Sequence, residues 1–357
     1  MYKNNYLIIM AGGVGSRFWP YSRERHPKQF KDILGTGKTL LQQTVDRFKN
    51  LVPVKNIFIV TNKIYNDLVQ EQLPELNNYQ ILLEPRMRNT APCIVYACYK
   101  IRVKNPDARV VVTPSDHAIS DNREFNNIIK RSLAEVSGKD KLVTIGISPS
   151  RPETGYGYIQ FIKSRGLFKR VKTFTEKPAL DLAKKFIDSG EFVWNAGIFV
   201  WSVSAIRKAI KKHLPDMDEI FEEAKSAFYT TSEQDAIEKA YSHCRNISID
   251  YGIMEKAENV YVALGSFGWS DLGSWNSLYD ISEKDKEENV VDANALMYDS
   301  TKCIVKGPED KLIVIEGLEG YLVAEYGNAI IICKKDHEKQ FRKYIKDVKN
   351  KKGQEFL

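Results

Sequence analysis

Along the first 150 residues the hydrophobic positions switch between two patterns. Short runs rich in β-branched and aliphatic residues recur at 6–10 (YLIIM), 56–61 (NIFIVT), 79–84 (YQILLE), 108–113 (ARVVVT) and 141–146 (KLVTIG). Between them lie longer helix-like stretches, LLQQTVDRFKN, KIYNDLVQEQL, TAPCIVYACYKIRVK and EFNNIIKRSLAEVS. Strands alternating with helices predict βαβ units. The expected fold is therefore α/β: a doubly wound, mixed but mainly parallel sheet of Rossmann-like type.

From about 155 to 275 the pattern is less regular. YGYIQFI and RVKTFTEKP read as antiparallel additions, LDLAKKFIDSG as a helix, FVWNAGIFVW as a strand, and 204–242 as further helices. Beyond about 285 only short β runs remain: ALMYDS, KCIVKG, KLIVIEG, GYLVAEY and NAIIICK. They predict a small C-terminal β module, short and β-helix-like, although no clean six-residue period marks its coils. Phe341, Tyr344, Ile345 and Val348 then recur at i, i+3, i+4 and i+7, an amphipathic terminal helix that docks its apolar stripe on the body. The expected division is a large domain over 1–284 and a β-rich domain over 285–357.

Composition changes this picture little. The chain has 357 residues, 43% of them hydrophobic and 28% charged, as in ordinary soluble proteins. A net charge of +7 favours anionic partners. Much of the excess lies in KKDHEKQFRKYIKDVKNKK, read as the solvated face of the terminal helix, and no aromatic platforms alternate with basic residues, so nucleic acid is not an expected partner. No stretch is long enough to cross a membrane, and the apolar run at the N-terminus is too short for a signal-peptide core. The five cysteines (Cys93, Cys98, Cys244, Cys303, Cys333) form no C-x-x-C pair and read as reduced thiols of a cytoplasmic protein, without a zinc site.

Three polar clusters follow the carboxyl ends of predicted strands: AGGVGSR after the first, EPRMRNTAP after the third and PSDH after the fourth. That edge of an open α/β sheet is where ligands bind. The glycine loop is not a dinucleotide fingerprint, because Phe18 stands where the third glycine would be. Nor is DILGTGKTLL a P-loop, since Asp32 replaces its first glycine; GTGKT reads as a turn into a helix capped by Thr39. What remains around Ala11, Gly12, Gly13, Gly15 and Ser16 is a loop whose backbone N–H groups can approach phosphate, with Arg17 and Lys28 adding charge. The residues by themselves leave open a tight turn with solvated cations.

Asp116 and Asp271 are the candidate metal ligands, because Mg²⁺ takes one or two carboxylates plus phosphate oxygens and water. Each could equally be a turn or N-cap aspartate. His117 is read as structural. Lys177 precedes Pro178, so its backbone is expected to be extended and its ammonium aimed at a fixed point. Asn195 and Gly197 interrupt an apolar strand, marking either a polar contact to sugar hydroxyls or a β-bulge.

Together these segments resemble the sugar-nucleotide pyrophosphorylases, and within them the mannose-1-phosphate guanylyltransferases. The resemblance covers nearly the whole chain and rests on AGGVGSRFWPYSRERHPKQF, EPRMRNTAPCI, TPSDHAI, TGYGYI, FTEKP, WNAGIFVW, SIDYGIMEK and GWSDLGSW. Phe18 and Gly252 depart from the usual pattern, and a cupin-like isomerase domain is not expected, nor its activity. The resemblance implies transfer of GMP from GTP to mannose 1-phosphate, giving GDP-mannose and pyrophosphate, with Mg²⁺. It implies that the glycine loop, Arg17 and Lys28 hold the triphosphate, with Gly12 and Gly13 under the guanosine and Arg88, Asn89 and Thr90 on the nucleotide side. Asp116 and Asp271 would bind the metal, Lys177 the sugar phosphate, and Gly157, Glu176, Asn195, Gly197 and Asp250 the sugar. A homodimer would form through the C-terminal module. Two alternatives stay open: the same chemistry on another nucleotide or hexose 1-phosphate, and a non-catalytic regulatory homologue. Retention of Arg17, Lys28, Asp116, Lys177 and Asp271 speaks against the second.

Overall fold

A computed structural model describes residues 2–357, the side chains of 338 and 339 excepted. Its contacts group into two compact units: 2–12, 44–115 and 119–269 form the first, and 13–43, 116–118 and 270–357 the second. This grouping follows space rather than chain order, so the expected boundary at 284/285 is not where the contacts divide.

The first unit is built on a nine-stranded sheet. Its strands are β1 (Asn5–Met10), β2 (Ile57–Asn62), β3 (Ile81–Glu84), β4 (Arg109–Pro114), β5 (Leu142–Ile147), β6 (Tyr158–Phe161), β7 (Phe168–Thr175), β8 (Phe192–Ser202) and β9 (Val260–Gly265). Their order is β3-β2-β1-β4-β8-β5-β9-β7-β6. The first four strands of that order pair in parallel, as do β5 and β9, whereas β8 runs antiparallel to both β4 and β5. β7 also runs antiparallel to β9 and β6, and β6 to β8, so the sheet is mixed, as the sequence predicts: seven strands share one direction and β7 and β8 oppose them, which makes four pairings parallel and five antiparallel.

Why these strands are near-continuous apolar runs is visible in their burial: Leu7, Ile8 and Ile9 are all inaccessible, as strands covered on both faces must be. The helices of this unit are α2 (Asn66–Gln72), α3 (Thr90–Lys104), α4 (Asn122–Glu135), α5 (Leu180–Ser189), α6 (Val203–His213), α7 (Pro215–Ala224) and α8 (Glu233–His243), following α1 (Leu40–Phe48). α3 is apolar around its circumference and buried from Ala91 to Ile101, under α6 and α7.

In the second unit, β10 (Val290–Asp292), β12 (Ile304–Lys306) and β14 (Tyr321–Tyr326) stack in parallel, with β15 (Ala329–Lys334) antiparallel at the end. β11 (Ala295–Tyr298) and β13 (Ile313–Glu316) form a second parallel pair. Parallel ladders of such short strands are the arrangement of a brief β-helix, enclosing Val305, Ile315 and Val323. A second core gathers Ile304, Leu322 and Ile331 with Trp275 of α9 (Trp275–Ile281) and with Phe18 and Trp19 of the glycine loop. The terminal helix α10 (Phe341–Lys351) adds the expected stripe of Phe341, Tyr344, Ile345 and Val348 to that core. Among the described residues, no helix is long and apolar enough to cross a membrane.

Candidate active site

β1, β3 and β4 end at Met10, Glu84 and Pro114, and each leads straight into one of the three polar clusters. The glycine loop turns sharply at Gly15, where φ is +60° and a Cβ would stand 2.7 Å from the Lys28 Cβ and 2.9 Å from the Ser22 Oγ. Conformation and space both exclude a side chain there. Ser22 Oγ donates to the Val14 carbonyl at 3.0 Å, and Gln29 Nε2 to the Gly13 carbonyl at 2.8 Å. The loop is also fastened to the β module. Arg23 Nη2 donates to the Tyr326 carbonyl at 2.6 Å, and Trp19 Nε1 to the Phe356 carbonyl at 2.7 Å. The later GTGKT segment is closed instead. The Asp32 carboxylate accepts from the Thr36 and Gly37 amides at 3.0 and 2.6 Å, the donors a P-loop would present to phosphate. Thr39 caps α1 through a reciprocal pair with Gln42.

Within the second unit a cavity of about 300 Å³ is lined by Gly15, Ser16, Arg17, Lys28, Asp116, His117, Asp271 and Arg342, among others. Predicted residues from the glycine loop, PSDH and SDLGSW are thus brought together with one, Arg342, that no motif marked. Lys28 is buried, and its ammonium reaches Asp116 Oδ2 at 2.9 Å, the Asp271 carbonyl at 3.0 Å and the Leu272 carbonyl at 2.7 Å. An ammonium has three donors, so all of them are engaged by protein oxygens. Burial disfavours the charge of Asp116, but Lys28 and then His117 outweigh it and hold the carboxyl below its ordinary range. Asp271 Oδ1 accepts from the Gly273 amide at 2.9 Å, a turn-type contact that coexists with its place on the cavity wall. Arg17 Nη1 donates to the Gly273 carbonyl at 3.3 Å.

In the first unit, the sugar-side candidates form two hydrogen-bonded groups, Asn195 with Asp250 and Gly157, and Glu176 with Lys177, which interact through their charges. Asn195 Oδ1 accepts from Thr144 Oγ1 at 2.8 Å, while Asn195 Nδ2 donates to Asp250 Oδ1 at 3.0 Å. The β5–β8 register slips between Thr144 and Gly146, and Gly197 sits in that irregularity at φ +66°. Bulge and polar contact are therefore the same feature: the bulge turns Asn195 toward Asp250. Glu176 Oε1 pairs with Lys177 Nζ at 2.7 Å, whereas Glu176 Oε2 is buried without a partner among the described residues. A Cβ on Gly157 would lie 2.5 Å from that same oxygen, so glycine leaves the space open. Asp250 opens a π-helical turn, Asp250–Met254; burial, and then the Glu176 charge, push its pKa up to about 7. The Lys177 ammonium is held above its ordinary pKa because Glu176, then Asp250, outweigh burial. Its backbone is not extended as expected: φ is +48°, with its amide bonded to the Tyr156 carbonyl at 3.2 Å. Tertiary pinning on both sides overrides the bias that Pro178 imposes.

The remaining nucleotide-side candidates also lie in the first unit. Ala11 is locked by its amide to the Val60 carbonyl and by Thr61 Oγ1 on its own carbonyl, both at 2.8 Å. Asn89 caps α3 by accepting from the Thr90 amide at 2.9 Å, and Thr90 Oγ1 accepts from the Ile249 amide at 2.9 Å. The Thr90 bond, with the Ala91 amide on the Ile247 carbonyl at 3.1 Å, ties the RNTAP segment to the segment that carries Asp250, while the Asn89 bond stays within RNTAP. Arg88 has its Nε buried without a partner among the described residues. Sequence reasoning missed Glu84. It is buried, accepts from Tyr241 Oη at 3.0 Å, and its Oε2 is 3.5 Å from where a Gly12 Cβ would be. Burial pushes its pKa up to about 7 against the opposing Tyr241 bond. The EP dipeptide was its only signal.

Residues 6–288 match the Nucleotidyl transferase family, and residues 293–348 match the MannoseP isomerase/GMP-like beta-helix domain. The chain is 37% identical over 347 residues to the alginate biosynthesis protein AlgA of Pseudomonas aeruginosa, covering 96% of this chain and 71% of that protein. It belongs to the mannose-1-phosphate guanylyltransferase family of nucleotidyl transferases. Mannose-1-phosphate guanylyltransferase 2 of Escherichia coli O157:H7 is 35% identical over 364 residues, covering 98% of this chain and 74% of that one. Among solved structures, a mannose-1-phosphate geranyltransferase from Thermus thermophilus superposes with a TM-score of 0.88 at 33% identity, covering 97% and 99% of the two chains. Family membership makes this chain a nucleotidyltransferase with the family's α/β fold and terminal β-helix.

Proposed function

We propose that this enzyme transfers GMP from GTP to α-D-mannose 1-phosphate, giving GDP-mannose and pyrophosphate. The observation that carries the reading is the single cavity in which Arg17, Lys28, Asp116 and Asp271 meet. Two carboxylates flanked by cations are a donor set for a triphosphate and a hard divalent ion. Asp116 and Asp271 both line that cavity, and one or two carboxylates completed by phosphate oxygens and water are the donor set that Mg²⁺ takes. Mg²⁺ held by Asp116 and Asp271 would offset charge on the reacting phosphates.

A phosphate oxygen of the sugar attacks the α-phosphorus in line, the α–β anhydride bond breaks, and pyrophosphate departs with the bonding pair. No protein nucleophile is needed; positioning and fixed charge do the work. Lys28 keeps Asp116 ionised and clamps the 271–272 turn to it. The loop at Gly12, Gly13, Gly15 and Ser16, with Arg17, holds the nucleotide phosphates. Gly12 and Gly13 lie under the guanosine, and Arg88, Asn89 and Thr90 support the nucleotide side. Lys177 binds the sugar phosphate. The unpartnered Glu176 oxygen, with Asn195, Asp250, Gly157 and Gly197, takes sugar hydroxyls.

The reading includes a cytoplasmic enzyme, in keeping with its free thiols, and a homodimer. Support for the dimer is the outward row of Ile330 and Ile332 on β15, both about 60% exposed, a face that a second copy would cover. Sedimentation of Ile330→Asp against the parent chain tests it, and an unchanged mass would remove it. The reaction is tested by pyrophosphate release with Mg²⁺, using four nucleoside triphosphates against mannose, glucose and N-acetylglucosamine 1-phosphates. GTP with mannose 1-phosphate is expected to dominate. Dominance elsewhere would retain the chemistry and change the substrates; silence throughout, with GDP-mannose still bound, would favour a regulatory protein.

A further inference from the structure

We propose that Arg342, on the first turn of α10, is a pyrophosphate-binding residue of this active site; the inference rests on the reaction proposed above. Three cations line the phosphate cavity: Arg17, Lys28 and Arg342. They are not equivalent. Lys28 has no donor left, since Asp116 and two carbonyls take all three. Arg17 gives one of its five donors to the Gly273 carbonyl. The exposed guanidinium of Arg342, by contrast, makes no hydrogen bond or ion pair among the described residues.

Charge gathers on the leaving group as the α–β bond breaks, and its two phosphoryl groups present more oxygens than one guanidinium fork can satisfy. Arginine offers a planar fork that matches phosphate oxygens two at a time. A second fork on the cavity wall supplies the donors that Lys28 has given up. Its placement is fixed from below. α10 packs directly on the Ser16–Phe18 turn of the loop. Phe341, the residue before it, is buried in the same core as Phe18, and its ring lies 5.8 Å from that of Tyr344. The backbone carrying Arg342 is thus anchored while its side chain is free to reach a ligand.

The decisive comparison is Arg342→Ala with Lys343→Ala, which removes the same charge from the neighbouring exposed position that does not line the cavity. The reverse reaction, GDP-mannose with pyrophosphate, is followed together with direct titration of inorganic pyrophosphate in the presence of Mg²⁺. Arg342→Ala is expected to raise the KM for pyrophosphate and weaken its binding on the order of 10-fold, with the KM for GDP-mannose unmoved. Arg342→Lys should fall between, because the charge stays and the fork is lost. Both arginine variants should melt like the parent, since the side chain is exposed. If Arg342→Ala matches Lys343→Ala in both measurements, the proposal fails. A parent chain that turns over no GDP-mannose overturns the reaction instead, and the pyrophosphate titration then still decides Arg342.

Discussion

Carboxylates meet opposite fates in the two units. In the first, Glu84 and Asp250 are buried and pushed up to about 7, toward the neutral form. In the second, Asp116 is pulled down and held as an anion by Lys28. The lysines follow the same split. Lys28 is buried and saturated by three protein oxygens, whereas Lys177 is half-exposed and leans on one carboxylate. The difference matches what each region is proposed to handle. Neutral hydroxyl and base edges are recognised by hydrogen bonds of either protonation state, while phosphates and a divalent ion need permanent anions and cations fixed beforehand.

The largest effect that would break this contrast is on turnover. Asp116→Ala is expected to lower kcat on the order of 10²-fold or more, measured by pyrophosphate release. Near-normal turnover would mean that the paired charge in the second unit has no catalytic part.

Next comes pH. Glu84 has a raised folded pKa, so its contribution to stability is complete below its unfolded value near 4.5 and is lost as pH rises through about 7. Asp250 acts in the same direction. Asp116, with a lowered pKa, contributes above its unfolded value and loses that contribution as pH falls. Glu84 alone corresponds to at most about 3 kcal/mol between pH 4.5 and 8. Melting curves across that range should therefore show Glu84→Gln flattening the loss on the alkaline side and leaving the acid side untouched. If the variant and parent profiles run parallel, the burial argument for Glu84 is wrong.

The two lysines sharpen the contrast further. Lys28→Met should cost about 2 kcal/mol of stability, because three oxygens lose their donor and Asp116 its counter-ion. Lys177→Met should lower the melting temperature less than Lys28→Met, because its exposed ammonium serves one carboxylate rather than three oxygens, and should lower kcat/KM for the sugar phosphate by about 10-fold, the loss of one charge-assisted contact. Equal melting temperatures for the two variants would erase the distinction.

Much of this was legible in the sequence because it is local. Apolar runs mark eight of the nine strands, β9 (Val260–Gly265) being the one not read; the stripe at 341–348 marks a docked helix, and Asp32 alone disqualifies the GTGKT segment, whose turn its carboxylate closes. What was not legible depends on distant contacts. No periodicity says that Lys28 exhausts its donors on residues 116, 271 and 272, that Glu84 closes over Gly12, or that Arg342 reaches the wall on which Gly15 and Arg17 lie. Lys177 was misjudged for the same reason: a one-residue steric rule was overruled by Glu176 and Tyr156.

The attachment of Trp19 to the Phe356 carbonyl and of Arg23 to the Tyr326 carbonyl bears on how the gene can be cut and rejoined. A hybrid that crosses over near residue 285 would receive its signature loop from one parent and that loop's footing from the other. Swaps that exchange 13–43 together with 270–357 keep the pair matched, and libraries built by recombination should recover working enzymes at those junctions more often than at the apparent domain border.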